Sequence, residues 1–449
     1  MHQQQPRHVN TTRVRVVIAF PFVIAAFAFL SYYARWKPLM TASYRRILAG
    51  WPQQKLDEVA SGKDEPPLVL LTWTKYFGAP YSTDQIRSSC SKLSCIVTNN
   101  RSMHREAAAV IFHWRDFNAS DLPPHRTARQ RYIFYLLESP EATEQHVKRA
   151  PNHFFNWTMT YRRDSDIFMP YGYYSKGIAS SNNTAQQLLH AASELKKAQD
   201  YYAKKTRLAL WAVSNCHTSS RREQLVHQLQ LQPGVTIDII GGCGNKSICP
   251  RGNQDAASCL GRLLNEQYGF YIAFENAICI DYITEKFWQR LLHYAVPLVL
   301  SREIYENVAP PKSFIAADDF ASVGELAEHL QRVWHNRSEY LSYFQWRQMG
   351  YRSSGQDEKG RLQGYCRLCQ RLQEERDKLG ASTSKSYSQE KLANWWYNRG
   401  DCQTLQRKIF RRFHLPATTS RRQNQFTHQQ NTLLQRDKAR KTKRKNWTQ

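Results

Sequence analysis

The longest unbroken apolar run is Val16 to Leu30, fifteen residues with neither charge nor hydroxyl, prolonged by Ser31-Tyr32-Tyr33-Ala34 before Arg35. Wound as a helix, residues 16–34 reach roughly 22–28 Å, enough for the thinner membranes of the early secretory route. Tyr32, Tyr33 and Trp36 form an interfacial belt, which favours a retained anchor over a signal peptide cleaved after Ala26-Phe27-Ala28. Residues 1–15 then read as a cytosolic tail. Residues 35–66, polar and carrying Pro52 and Pro66, read as a stem.

Beyond the stem the pattern changes to short β-rich apolar runs separated by polar stretches of loop or helix length. Leu68–Trp73, Ala109–His113 and Tyr132–Leu137 are three such strands, the mark of an α/β layer. A Gln/Lys-rich amphipathic stretch, Ala185–Lys205, precedes a second set: Arg207–Val213, Val235–Ile240, Phe270–Phe274 and Val296–Leu300. Arg221–Leu231 has the length of a crossover helix between the first two of these, which makes a right-handed parallel unit with ligands at the strands' carboxyl ends. The pattern therefore divides the body into an α/β domain at 67–204, a second at 205–370, and a C-terminal extension at 371–449. Trp395-Trp396-Tyr397 is the last aromatic cluster, and beyond residue 415 too little apolar surface remains to build a core.

Composition adds compartment and charge. The 449 residues carry 63 Lys and Arg against 37 Asp and Glu, a formal charge of +26. Thirteen of the basic residues lie in 401–449, against only Asp401 and Asp437. That tail invites a nucleic-acid reading, with Lys438–Lys445 as the patch. The seven Asn-x-Ser/Thr sequons that follow the span, at Asn100, Asn118, Asn156, Asn182, Asn245, Asn336 and Asn446, argue against it, because such acceptors have meaning only in a lumen. A luminal body lets cysteines oxidise, so Cys366-x-x-Cys369 reads as a disulfide pair of positions rather than half a zinc site with Cys402 and His414. Sequence leaves the pairing of the ten cysteines open.

The chemistry concentrates between Phe270 and Leu300. Asp281 or Thr284 is placed to cap a helix over Ile283–Tyr294, which puts Glu285 and Lys286 in its first turn, where free amides and the helix dipole attract an anion beside Lys286. The segment Glu275-Asn276 to Tyr282-Ile283-Thr284-Glu285-Lys286, the strand Val296–Leu300, and Tyr305, Ala309-Pro310-Pro311, Ser313-Phe314-Ile315 and Asp318-Asp319-Phe320 together resemble the donor-binding signature of the α1,3-fucosyltransferase family. Val213-Ser214-Asn215-Cys216, Arg221-Arg222, Asn156 through Phe168, Pro170-Tyr171-Gly172 and Glu138-Ser139-Pro140 extend the likeness over roughly residues 68 to 370. The Cys-containing variants of these motifs are similar to invertebrate and plant members.

The resemblance implies a GT-B fold, two facing Rossmann-like domains behind an N-terminal transmembrane helix and stem, with the acceptor side in the first and GDP-fucose in the second. It implies a single-pass Golgi membrane enzyme, a possible homodimer, that transfers fucose with inversion from GDP-β-L-fucose to O3 of N-acetylglucosamine on glycoprotein N-glycans. Antenna and core acceptors are both open. Glu138 matches the family's base. Lys286 with Arg222, or its neighbour Arg221, matches the cations that hold the diphosphate. Asn276, Tyr282 and Glu285 match donor contacts, Glu285 near the fucosyl ring. His113-Trp114-Arg115-Asp116 resembles the acceptor-discriminating segment but carries Trp114 where the family has a second His. Asp164-Ser165-Asp166 is a metal-binding DxD in other glycosyltransferases. Here it lies in the first domain while Lys286 and Arg222 already supply positive charge, so no metal and no cofactor is expected. The alternative is a luminal binder of GDP-sugar or glycan with the same fold and no turnover.

Overall fold

The structure, a computed structural model, describes residues 66–81, 90, 93–143, 150–176, 183–245, 248–249, 255–353, 358–377 and 385–415. The expected tail, membrane span and stem, the basic terminus beyond 415, and the sequons at Asn182 and Asn446 lie outside the described residues. Among the described residues no helix is long and apolar enough to cross a membrane.

The first sheet contains β1 (Leu68–Thr72), β2 (Cys95–Thr98), β3 (Ala107–His113), β4 (Arg131–Leu136), β5 (Trp157–Thr160) and β6 (Ile167–Phe168). Their order is β2-β1-β3-β4-β5-β6, every neighbour parallel. β3 and β4 occupy the centre and are almost wholly buried. Parallel strands covered on both faces need unbroken apolar sequence, which is why these two are plain in the pattern.

After β7 (Tyr174–Lys176) and α1 (Thr184–Lys204) comes a second sheet of β8 (Arg207–Ala212), β9 (Ile237–Ile240), β10 (Tyr268–Ile272), β11 (Val296–Val299) and β12 (Ile315–Ala316). It is also all parallel, ordered β12-β11-β10-β8-β9. α2 (Arg222–Gln230) joins β8 to β9, and α3 (Asp255–Glu266) joins β9 to β10. The chain is thus an α/β protein with two parallel sheets.

Lys205 fastens this second lobe. Just past the end of α1, its buried ammonium donates to the carbonyls of Leu264 (2.8 Å), Asn265 (3.1 Å) and Tyr268 (2.8 Å), closing the last turn of α3 onto the start of β10. Replacing Lys205 by Met strands three carbonyls, and the expected loss is about 2–4 kcal/mol. Thermal or urea unfolding checks it, and unchanged stability would show that water replaces the ammonium.

The later elements are α4 (Glu285–Trp288), α5 (Val323–His335), β13 (Tyr351–Ser353), α6 (Glu358–Asp377) and α7 (Cys402–Arg412). β13 pairs antiparallel with β7, and α6 packs against β1 and β6, so the chain returns to the first lobe. Disulfides Cys90–Cys366 and Cys95–Cys369 hold α6 there. The boundary expected at residue 370 therefore falls inside a helix that serves the first sheet. The remaining bridges are Cys216–Cys243, Cys249–Cys259 and Cys279–Cys402.

Candidate active site

In the second sheet the chain leaves β8 for β9 on one side and comes back to β10 on the other. Strand order reverses between β8 and β10, and a ligand crevice opens at such a switch point, outside the carboxyl ends of the strands. Arg222 spans it. One Nη donates to the Phe274 carbonyl beyond β10 (2.6 Å) and the other to Asn215 beyond β8 (3.1 Å). The turn before α2 is fixed to the same loop: Ser220 N and Ser219 Oγ donate to the Asn276 carbonyl, and Ser220 Oγ to that of Glu275. Arg222 Nε and Asn276 Oδ1 are buried there without a hydrogen-bond partner.

Arg221 points elsewhere. It caps α2 in a left-handed conformation (φ 52°), stacks its guanidinium 3.9 Å from the Phe410 ring centroid, and donates to the Leu415 carbonyl at 3.2 Å. Only Arg222 of the pair faces the crevice.

Lys286 is held beside it by three acceptors: Thr284 Oγ1 (2.9 Å), Glu285 (3.2 Å) and Glu275 (3.3 Å). Burial opposes its charge, but the Glu275 and Glu285 carboxylates outweigh burial and hold the ammonium above its usual range. Glu275, buried at the end of the strand, also accepts from Thr284 N at 2.7 Å. The helix expected over Ile283–Tyr294 is corrected to one α turn, Glu285–Trp288, capped by Thr284, followed by a 3-10 turn at Arg290–Leu292. A single turn has little dipole, so attraction for an anion rests on Lys286 and Arg222. Tyr282 is buried with its ring 5.0 Å from Tyr161 of the first lobe, so it packs between the lobes.

From the first lobe, β4 delivers Glu138. Tyr171 donates to the Leu137 carbonyl at 2.7 Å and steadies the strand end, and a 3-10 turn begins at Pro140. Burial raises the Glu138 pKa, against the pull of Arg115 and Lys286, while Glu285 adds to the rise. Glu285 itself stays below the usual range despite burial, because Lys286 lies beside it. Glu138, Glu285 and Lys286 thus feel one another across the two lobes.

Of the acceptor-region residues, His113 and Arg115 lie near this end and Trp114 does not. Burial lowers the His113 pKa against the opposing pull of Asp116, which its Nδ1 meets at 2.6 Å. Arg115 is exposed above Phe77, its guanidinium 5.1 Å from that ring. Trp114 is only 1% exposed, packed among Phe117, Phe134 and Phe155, so its assignment to the acceptor region is corrected to core.

The Asp164-Ser165-Asp166 carboxylates are occupied by protein donors. Asp164 takes two hydrogen bonds from Arg162 and one from Trp395 Nε1. Asp166 takes Thr158, Lys385 and Tyr387. Among the described residues no cluster has the make-up of a metal site. Asn156 is also corrected: it is 2% exposed, and its amide bonds Tyr132 N, Arg126 and the Lys385 carbonyl, leaving no room for a glycan. Asn100, Asn118, Asn245 and Asn336 are exposed.

Sequence reasoning gave no role to Glu275, the carboxylate that organises Lys286. Its signal was available, an acidic residue directly after a buried strand, as at Glu138.

Residues 65–172 match the family described as "Fucosyltransferase, N-terminal", and residues 202–395 match "Glycosyltransferase family 10 (fucosyltransferase) C-term". The chain is 34% identical over 346 residues to Alpha-(1,3)-fucosyltransferase fut-5 of Caenorhabditis elegans, covering 76% of this chain and 85% of that protein. It is 36% identical over 323 residues to human 4-galactosyl-N-acetylglucosaminide 3-alpha-L-fucosyltransferase FUT5, covering 69% and 77%. A solved α1,3-fucosyltransferase with GDP-fucose aligns at TM-score 0.42 and 14% identity, over 63% of this chain and 82% of that one. With both halves of the body matched and the curated relatives covered over most of their length, the chain belongs to the fucosyltransferases of glycosyltransferase family 10.

Proposed function

We propose that this enzyme moves L-fucose from GDP-β-L-fucose to O3 of an N-acetylglucosamine in a glycoprotein glycan, with inversion, in a GT-B arrangement of its two lobes. The observation that carries the reading is that Glu138 of the first sheet lies within electrostatic reach of Lys286 and Glu285 of the second, whose loop adjoins the crevice that Arg222 spans.

Glu138 takes the proton of the acceptor hydroxyl as its oxygen bonds to the fucosyl anomeric carbon. The bond from that carbon to the diphosphate breaks, and GDP leaves against the fixed charges of Arg222 and Lys286. Glu285, ionised beside Lys286, lies where positive charge on the sugar ring would be stabilised. Asn276 Oδ1 and Tyr282 line the nucleotide-sugar side. His113 and Arg115 face the acceptor, an N-acetyllactosamine antenna or a core N-glycan. Because cations of the chain hold the diphosphate, transfer is expected to persist in EDTA.

The rate should carry the raised Glu138 pKa. The base works only when deprotonated, so kcat/KM is expected to fall about tenfold per pH unit below that pKa, a limb above the ordinary carboxylate range. A profile flat down to pH 4 would remove Glu138 from the role.

We also place the body in the Golgi lumen on a single span at 16–34. Five disulfides support an oxidising compartment. Glycosidase treatment of the expressed protein tests this: a mobility shift is expected, and Asn156→Gln should leave that shift unchanged. A protein without glycans would contradict luminal placement.

A further inference from the structure

The segment 385–415 begins near the end of the family match at residue 395 and continues past it. It crosses from one lobe to the other beside the site just described. On the first lobe, Tyr387 N donates to the Phe155 carbonyl at 2.8 Å. Trp396 Nε1 and Tyr397 Oη donate to the side chain and carbonyl of Thr143, at 3.2 and 2.6 Å. Thr143 closes the 3-10 turn that starts at Pro140, immediately after Glu138 and Ser139. Gly400 lies so close to this turn that a Cβ there would stand 3.0 Å from Pro140 Cγ and 2.7 Å from the Trp396 carbonyl.

Within two residues the segment has passed to the second lobe. The Gly400 carbonyl accepts from Ile280 N at 3.0 Å, and Cys402 is bridged to Cys279, both partners lying in the loop between Asn276 and Tyr282. Between them Asp401 adopts a left-handed conformation (φ 48°), a kink that a non-glycine residue keeps only where its surroundings impose it. α7 then buries Leu405 and Ile409, followed by Phe413 and Leu415, in the second core. Phe410 and the Leu415 carbonyl take the guanidinium of Arg221, the residue that caps α2 and directly precedes Arg222.

We propose that this strap positions the donor-binding loops for transfer, its Cys279–Cys402 bridge fixing the 276–286 loop and its Phe410–Leu415 end fixing the turn that presents Arg222. Neither contact touches substrate, so these are positioning residues, and the inference rests on the fucosyl-transfer reading. A loosened loop would weaken contacts that Asn276, Tyr282 and Lys286 make in ground and transition states alike. The effect then falls on KM for GDP-fucose and leaves kcat, which depends on Glu138, nearly untouched.

The test compares three variants of the full chain: Cys279→Ser with Cys402→Ser, Arg221→Gln with all bridges intact, and Cys249→Ser with Cys259→Ser as a bridge-loss control. Steady-state kinetics with GDP-fucose, and calorimetric titration with GDP, give the readouts. The first variant is expected to raise donor KM and GDP Kd at least fivefold with kcat within about threefold, the second to raise both about threefold, and the control to leave both unchanged. Arg221→Gln decides the matter if the first variant does not fold. Donor KM unchanged in a folded variant, or an equal rise in the control, would overturn the strap's positioning role. A wild-type protein that neither transfers fucose nor binds GDP would instead overturn the functional reading beneath it.

Discussion

Glu138→Gln is expected to lower turnover by roughly two to four orders of magnitude while GDP binds as before. Glutamine keeps the shape of the side chain at the end of β4 and removes only its ability to take a proton. Stability should not fall with activity. Burial raises the folded pKa of Glu138 above its unfolded value, so above that pKa the ionised group is a cost to the fold, and a neutral amide removes the cost. A folded Glu138→Gln protein with a Tm at or above that of the wild type, wild-type GDP affinity and almost no transfer is the expected combination. Lost GDP binding would place Glu138 in donor recognition, and retained turnover would require another base.

Lys286→Ala is the second large expectation, with a different signature. A charge-assisted contact to the diphosphate acts in the bound and transition states alike, so GDP affinity and kcat/KM should fall together, the former by roughly 10–100-fold. Here stability falls as well. Glu275 is 4% exposed and loses the cation 3.3 Å away, and an unpaired buried carboxylate costs about 3 kcal/mol. Adding Glu275→Gln separates the two effects: the double variant should regain most of the lost stability and none of the lost GDP affinity. If GDP affinity returned with stability, Lys286 would serve only to satisfy Glu275.

Much of the fold could be read from the pattern, and what escaped had physical reasons. β1, β3, β4 and β8 to β11 are apolar runs because parallel strands are covered on both faces. β6 and β12 have two residues each, too few for a period to show, and β5 alternates Thr with Trp and Met, which breaks the apolar run. The helix expected over Ile283–Tyr294 breaks after one turn, because tertiary packing there outweighs local propensity.

At the site, the residue types were legible and their directions were not. Arg221 and Arg222 are neighbours in sequence, yet one caps a helix in a left-handed turn against Phe410 and the other spans the β8–β10 crevice. Trp114 looked like a substituted acceptor residue because its chain position matched, while its side chain completes an aromatic core. Cysteine spacing left the bridges open. Only the fold brings Cys90 and Cys95 to α6, nearly three hundred residues later.

The most direct measurement incubates the purified protein with GDP-fucose and, separately, N-acetyllactosamine, its type 1 isomer and a core N-glycan, then determines the linkage and anomeric form of each product. Fucose α-linked to O3 of N-acetylglucosamine on at least one acceptor is the expected result. No transfer to any of the three by a protein that binds GDP, or a product of retained β configuration, would contradict the proposed reaction.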